Sequence, residues 1–197
     1  NDAPTIDSTA VTTVDEDALY SYTVVASDVD ANDGMTLSVT STLPTWLSFD
    51  ATTGVLSGTP LNAHVGTQAV TVQAEDTAGA TATQTFTITI SNTNDAPTIT
   101  STAPTSVDED SAYSYTVTTS DVDVGDSVSL TGTTIPSWMA FDAETGVLSG
   151  TPSNSDVGSH SVTITAEDDA GATATDTFSI TVANTNDAPT IDSTAVT

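Results

Sequence analysis

Three short stretches of the chain carry clustered carboxylates, and each set recurs about 92 residues further on. The first set is Asp15-Glu16-Asp17, then Asp28-Val29-Asp30 with Asp33, then Glu75-Asp76. The second is Asp108-Glu109-Asp110, then Asp121-Val122-Asp123 with Asp126, then Glu167-Asp168-Asp169. Residues two apart in an extended segment share a face, so Asp121 and Asp123 can grip one ion together. The rest of the composition sharpens this. The 197 residues include 27 Asp plus Glu, two His and no Lys or Arg, a formal charge of −27. Two carboxylates about 4 Å apart repel by roughly 4 kcal/mol at an effective dielectric near 20. Without a basic side chain to neutralise them, converging acids must recruit cations or hold their protons more tightly. Hard oxygen donors in number suit Ca²⁺ better than any softer metal. Zn²⁺ favours His and Cys, and the chain has two of one and none of the other.

The acidic loops are strung on a repeated joint. Asn92-Thr93-Asn94-Asp95-Ala96-Pro97 returns as Asn184-Thr185-Asn186-Asp187-Ala188-Pro189, and the chain opens on Asn1-Asp2-Ala3-Pro4. The motif asparagine therefore stands at positions 1, 94 and 186, a period of 92 to 93 residues. Asn and Asp side chains bond nearby backbone, while Pro fixes φ and ends a ladder, so this stretch reads as a short ordered connection. The period divides the chain into domains at 1–93 and 94–185, with 186–197 opening a third unit. Residues 186–197 repeat residues 1–12 letter for letter, which predicts a piece of a longer array.

Between joints the pattern is β throughout. Residues 5–13 read as a short Thr/Ile/Val strand, and Tyr20-Ser21-Tyr22-Thr23-Val24 and Met35-Thr36-Leu37-Ser38-Val39 alternate large with small. Residues 50–54 form a tight turn closed by Gly54. Gly58-Thr59-Pro60 ends the following strand, and residues 69–74 and 83–90 make a last pair joined around Gly79. The second repeat keeps Tyr113-Ser114-Tyr115, Trp138, Phe141-Asp142 and the run 145–152. About seven short strands per repeat predict an all-β chain of tandem immunoglobulin- or cadherin-like sandwiches. Loops gather at opposite ends of a sandwich. Counting strands puts the second and third acidic loops at the end where the linker arrives, and the first beside the linker that leaves. One joint would then unite Glu16, the linker residues Asn92, Asn94 and Asp95, and Asp121, Asp123 and Asp168 of the next domain.

Several functions are excluded or disfavoured. So acidic a surface repels phosphate backbones and anionic membranes, which rules out nucleic-acid partners and membrane insertion. No run approaches the apolar length of a membrane span. Disorder is opposed by the strand periodicity of the 37% hydrophobic content. His64 aligns with Asp156 and His160 with Gln68, so no catalytic histidine is common to the repeats, and each reads as a surface residue. A carboxylate couple for glycoside cleavage lacks any flanking pocket signature. Trp46 and Trp138 follow Leu-Pro-Thr and Ile-Pro-Ser and read as core in preference to sugar-stacking platforms, although their parity is opposite to Leu47 and Phe49.

Taken together, these motifs resemble a known family. The Asn-x-Asn-Asp-Ala-Pro linker, the paired Asp-x-Asp and the Ala-Glu-Asp-x-Ala-Gly loop are similar to the calcium motifs of cadherin repeats. Trp46-Leu47-Ser48-Phe49-Asp50 through Gly54-Val55-Leu56-Ser57-Gly58-Thr59-Pro60 resembles the dystroglycan-type cadherin-like repeats of large bacterial adhesins and secreted polysaccharide-active proteins. By that resemblance Glu16, Asn94, Asp95, Asp121, Asp123 and Asp168 are calcium ligands, with the Ala96 carbonyl beside them. Glu109, Asn186 and Asp187 begin the next site, and Asn1, Asp2, Asp28, Asp30 and Asp76 form the one at the opposite end. The Leu-Asp-Arg-Glu motif of animal cadherins is replaced by Leu61-Asn62-Ala63-His64 and Ser153-Asn154-Ser155-Asp156, which implies one or two ions per joint. The expected function is a calcium-stiffened extracellular spacer of an adhesin, contacting neighbouring repeats of its own chain. The alternative is a module that binds polysaccharide or another adhesin copy.

Overall fold

The structure, a computed structural model, describes residues 1–30 and 34–191. It divides into two compact units, Asn1–Thr93 and Asn94–Thr197. Among the described residues both are all-β apart from single turns of 3₁₀ helix at Asn62–His64 and Asn154–Asp156.

In the first unit the strands are β1 (Thr5–Ile6), β2 (Thr13–Asp15), β3 (Tyr20–Thr23), β4 (Ala26–Ser27), β5 (Thr36–Val39), β6 (Leu47–Asp50), β7 (Val55–Gly58), β8 (Gly66–Glu75) and β9 (Thr81–Ser91). Four of them form a sheet in the order β2-β9-β8-β5, and three form the facing sheet β3-β7-β6. The single strand expected over residues 5–13 is in fact two. β1 pairs antiparallel with β4, the chain then crosses, and β2 runs parallel to β9. The Thr-rich stretch has β propensity along its length but too few large apolar residues to belong wholly to either sheet. Counting β1 with β2 and β3 with β4 as interrupted strands gives seven among the described residues.

The break between β3 and β4 has a visible cause. The turn between β6 and β7 leans on it, with Val24 N–H donating to the Gly54 carbonyl at 2.8 Å. Gly54 has φ +70°, and a Cβ there would lie 2.6 Å from the Val24 carbonyl oxygen. The Asp50 carboxylate accepts from Thr52 N–H and Thr53 N–H and closes the turn. Alternation then sends Tyr20, Tyr22, Leu56, Val70, Val72, Ile88 and Ile90 into one core between the sheets. Tyr20 keeps its hydroxyl satisfied by donating to the Val11 carbonyl at 2.8 Å.

Trp46 lies outside β6, in the turn closed by Leu47 N–H donating to Pro44 O. Strand parity therefore does not apply to it, and no local twist is needed to bury it. The indole is half-buried, edge-on to Tyr20 at 6.1 Å and tilted against His64 at 6.3 Å. His64 is likewise half-buried rather than a surface residue, and its Nδ1 accepts Leu61 N–H at 2.9 Å.

The second unit repeats this plan with β10 (Thr98–Ile99), β11 (Ser106–Asp108), β12 (Tyr113–Thr116), β13 (Thr119–Ser120), β14 (Ser129–Thr134), β15 (Met139–Asp142), β16 (Val147–Gly150), β17 (Gly158–Glu167) and β18 (Thr173–Ala183). Its sheets are β11-β18-β17-β14 and β12-β16-β15. Trp138 stands edge-on to Tyr113 and to His160, at 6.2 and 5.8 Å. The two histidines come from non-aligned positions yet cover the same indole in each unit. At the position aligned with His64, Asp156 accepts Ser153 N–H, so a carboxylate there replaces the imidazole as cap.

Candidate metal centre

The acidic loops occupy the ends of each unit in two different arrangements, and each arrangement occurs twice.

At the end where the second unit begins, Asn94 Nδ2 donates to Asp168 Oδ2 at 2.9 Å and Asp95 N–H donates to Asp123 Oδ2 at 2.8 Å. Asp123 N–H in turn donates to Asp121 Oδ1 at 3.0 Å, the short loop bond of an Asp two residues back. Asp168 is fixed by the turn after β17, where Ala170 N–H and Ala172 N–H donate to its Oδ1 at 2.9 and 2.8 Å. Asp123 and Asp168 are both 6% exposed. Asp121, Asp126 and Asp168 each bring a carboxylate oxygen within 4.8 Å of the other two. That span fits oxygens around one Ca²⁺ at about 2.3–2.6 Å each. The buried Asp121 Oδ2 has no hydrogen-bond partner.

The first unit builds the same arrangement from its own residues. Asn1 Nδ2 donates to Asp76 Oδ2 at 2.9 Å, Asp2 N–H to Asp30 Oδ2 at 2.6 Å, and Asp30 N–H to Asp28 Oδ1 at 2.9 Å. Ala78 N–H and Ala80 N–H hold Asp76 Oδ1, and the buried Asp28 Oδ2 has no partner. Asp33, read with this loop from the sequence, lies outside the described residues.

The other end of each unit is organised around one buried glutamate. Glu16 is 3% exposed, and its Oε1 accepts Thr93 N–H at 2.7 Å. Glu109 is 2% exposed, and its Oε1 accepts Thr185 N–H at 2.6 Å and Asn184 Nδ2 at 2.7 Å. In both, Oε2 is buried with no partner. The backbone explains how the side chain is held. Glu16 N–H continues the β2–β9 ladder by donating to Ser91 O, and Asp17 then turns into the left-handed region at φ 58°. Asp110 does the same at φ 60°. Asp tolerates that region better than most residues, which is why an acid follows each glutamate.

Not every expected residue converges. Asn92 bonds Asn62 Nδ2 through its Oδ1 at 3.5 Å, whereas the equivalent Asn184 donates to Glu109. Ala96 is exposed ahead of the buried Pro97. Asn186 and Asp187 are exposed, with Asn154 donating to Asp187 at 3.3 Å. The start of a third unit is described only as far as Ile191, so the rest of 186–197 lies outside the described residues. The sequence put Asp126 in its loop but not in the ligand set, and the structure brings it to Asp121 and Asp168.

The electrostatics separate these carboxylates. Asp168 and Asp76 are held below the usual carboxylate range, first by the amides of Asn94 and Asn1 and then by the turn N–H groups. Asp126 is pushed up, by burial first and then by the negative charges of Asp123, Asp121, Asp169 and Asp168. Ser127 holds Asp169 low by donating from its hydroxyl at 2.7 Å. One group in the cluster thus keeps a proton more readily, because burial and four neighbouring negative charges oppose its ionisation.

Comparison with known proteins places the fold. A sequence profile described as "Putative Ig domain" matches residues 3–91 and again 96–183. The chain belongs to this Ig-domain family. It is also 32% identical over 155 residues to the serine-rich adhesin for platelets of Staphylococcus aureus strain MSSA476, covering 79% of this chain and 7% of that protein. The chain thus spans under a tenth of that relative. Among solved structures it is similar to PcdhgB3 EC1-4, with a TM-score of 0.60 at 22% identity, covering 93% of this chain and 50% of the other. It is similar to human protocadherin-24 EC1-2 with a TM-score of 0.56 at 20% identity, covering 93% and 100% of the two chains. Those likenesses show that the Ig-type sandwiches have the cadherin-repeat fold. Among the described residues, no helix is long and apolar enough to cross a membrane.

Proposed function

We propose that this chain is an extracellular spacer in an adhesin, and that Ca²⁺ at the ends of its domains stiffens it. One observation carries the proposal. Four carboxylate oxygens, on Glu16, Asp28, Glu109 and Asp121, are buried without a partner at domain ends, in a chain with no Lys or Arg. A buried ionised oxygen with nothing to accept from costs several kcal/mol unless a cation reaches it. No Lys or Arg of this chain can supply that cation.

The ligands follow from chain connectivity. Thr93 donates to Glu16, and the next residue, Asn94, donates to Asp168. The residues assigned to the cation are Glu16 at the end of the first unit, and Asn94, Asp95, Asp121, Asp123, Asp126 and Asp168 at the start of the second. Bound Ca²⁺ supplies positive charge and six to eight oxygen positions there. The protein residues do the rest: Asp168 is pre-aimed by its turn, Asp123 by Asp121, and Asn94 can turn its amide to offer oxygen. Glu109 with Asn186 and Asp187, and Asn1 and Asp2 with Asp28, Asp30 and Asp76, are the corresponding halves facing neighbouring repeats.

Extracellular modules hold Ca²⁺ with Kd of about 10⁻⁴–10⁻³ M, matched to external calcium. The match to staphylococcal adhesins supports a surface or secreted location. Calorimetric titration of the two-domain chain with Ca²⁺ tests the reading. Saturable binding in that range, reversed by chelator, supports it. Heats no larger than dilution overturn it.

A further inference from the structure

The second unit contains an opening lined by none of the carboxylates assigned to the cation. It lies where the chain crosses from β10 to β11 beside β18, a cavity of about 490 Å³. Ile99, Ala103 and Phe178 are among its apolar lining, Ser101 and Thr175 contribute hydroxyls, and Asp176 lies among them. The volume falls within the roughly 300–1,000 Å³ of ligand sites.

Asp176 is out of place by the logic of the strand. It shares the inward parity of β18 with Ala174, Phe178 and Ile180, and it is half-buried. The aligned residue of the first unit is Gln84. There the amide spans the same crossing, donating to Ser8 O at 2.9 Å and accepting from Tyr22 OH at 2.6 Å. Asp176 is one methylene shorter and has no amide N–H, so it cannot make the donation. The equivalent tyrosine, Tyr115, bonds Ser101 Oγ alone at 2.7 Å. An inward carboxylate with no hydrogen bond is a poor choice for stability. No Lys or Arg of another copy can meet it either, because the chain has none.

The strand edge beside the cavity narrows the class of ligand. β11 pairs with β18 only over Thr181–Ala183, so among the described residues the stretch of β18 before it has a ladder partner on the β17 side alone. An open ladder edge takes an extended polypeptide. We propose that this cavity is a docking site for an extended segment of a partner protein, with a Lys or Arg side chain reaching Asp176 and its stem against Ile99 and Phe178. The site belongs to the second unit, and Gln84 closes its counterpart in the first.

The test uses ¹⁵N–¹H spectra of the two-domain chain at saturating Ca²⁺, so that the acidic ends are already occupied. The probes are the blocked tripeptide Val-Lys-Val, its Val-Gln-Val analogue and galactose. The lysine peptide is expected to shift the amides of residues 98–105 and 174–178, roughly tenfold more tightly than the glutamine peptide. Asp176→Gln, which copies the native first unit, should abolish these shifts, and Gln84→Asp should create them at residues 5–12 and 82–86. If Asp176→Gln does not fold, as read by circular dichroism, Asp176→Asn carries the same expectation. No response, equal responses to both peptides, a response unchanged in these variants, or a response to galactose alone would overturn the proposal.

Discussion

Glu16→Gln gives the sharpest separation between a stabilising acid and one waiting for an ion. The amide keeps Oε1, so Thr93 N–H retains its acceptor, now at 2.7 Å from a neutral group. What changes is Oε2, buried and unpartnered, which becomes an NH₂ facing the proposed cation. Without Ca²⁺ the variant is expected to melt no lower than wild type, because a desolvated charge has been removed. With Ca²⁺ the order reverses. Binding to the native state alone stabilises by about 2.7 kcal/mol at a hundred times Kd. For a domain of this size each 1 kcal/mol shifts Tm by about 4–8 °C, so wild type should gain roughly 10–20 °C. A tenfold loss of affinity in the variant removes about 1.4 kcal/mol of that gain, some 6–11 °C. Differential scanning calorimetry of both proteins, in chelator and in saturating Ca²⁺, reads both effects. An equal calcium-induced shift in the two proteins would refute the reasoning, as would a wild type whose Tm ignores Ca²⁺.

Further outcomes follow from other residues. Asp126→Asn should stabilise the calcium-free chain at neutral pH, since Asp126 is held up by burial and its acidic neighbours, and should weaken calcium binding in titration. Asp76 and Asp168 have lowered folded-state pKa values, so the stability they contribute is present above the ordinary carboxylate range and lost as pH falls through their folded values. Chemical denaturation in chelator should show that loss on acidification, and the Asn94→Ala variant, lacking the amide that most lowers Asp168, should show less of it. Tyr20→Phe removes the hydroxyl bonded to Val11 O and should cost about 0.5–1.5 kcal/mol by urea unfolding. Gly58→Ala puts a Cβ 1.8 Å from the Trp46 carbonyl oxygen and should destabilise far more, by several kcal/mol.

Much of this could be read in the residues themselves. Alternation in Tyr20-Ser21-Tyr22 and the Gly54 turn mark strands and hairpin, because period and left-handed φ are local properties. Counting strands from the joint is enough to bring the second and third acidic loops to the incoming linker. The split of residues 5–13 was not legible, since Thr and Ile favour strands without specifying a partner. Nor was the role of His64 and His160, which reach the equivalent indoles of Trp46 and Trp138 from non-aligned positions, one in a 3₁₀ turn and one in β17. Asp126 illustrates the limit at the site: spacing puts it in the loop, and only folding shows that its carboxylate meets Asp121 and Asp168.

We propose that divalent metal stiffens the joints of this chain of negative domains, whose carboxylates repel one another without it. Small-angle scattering of the two-domain chain in chelator and in millimolar Ca²⁺ measures it directly. The account predicts a larger maximum dimension and a narrower distance distribution with calcium, lost again in Asp123→Ala. Superimposable curves in the two buffers would contradict it.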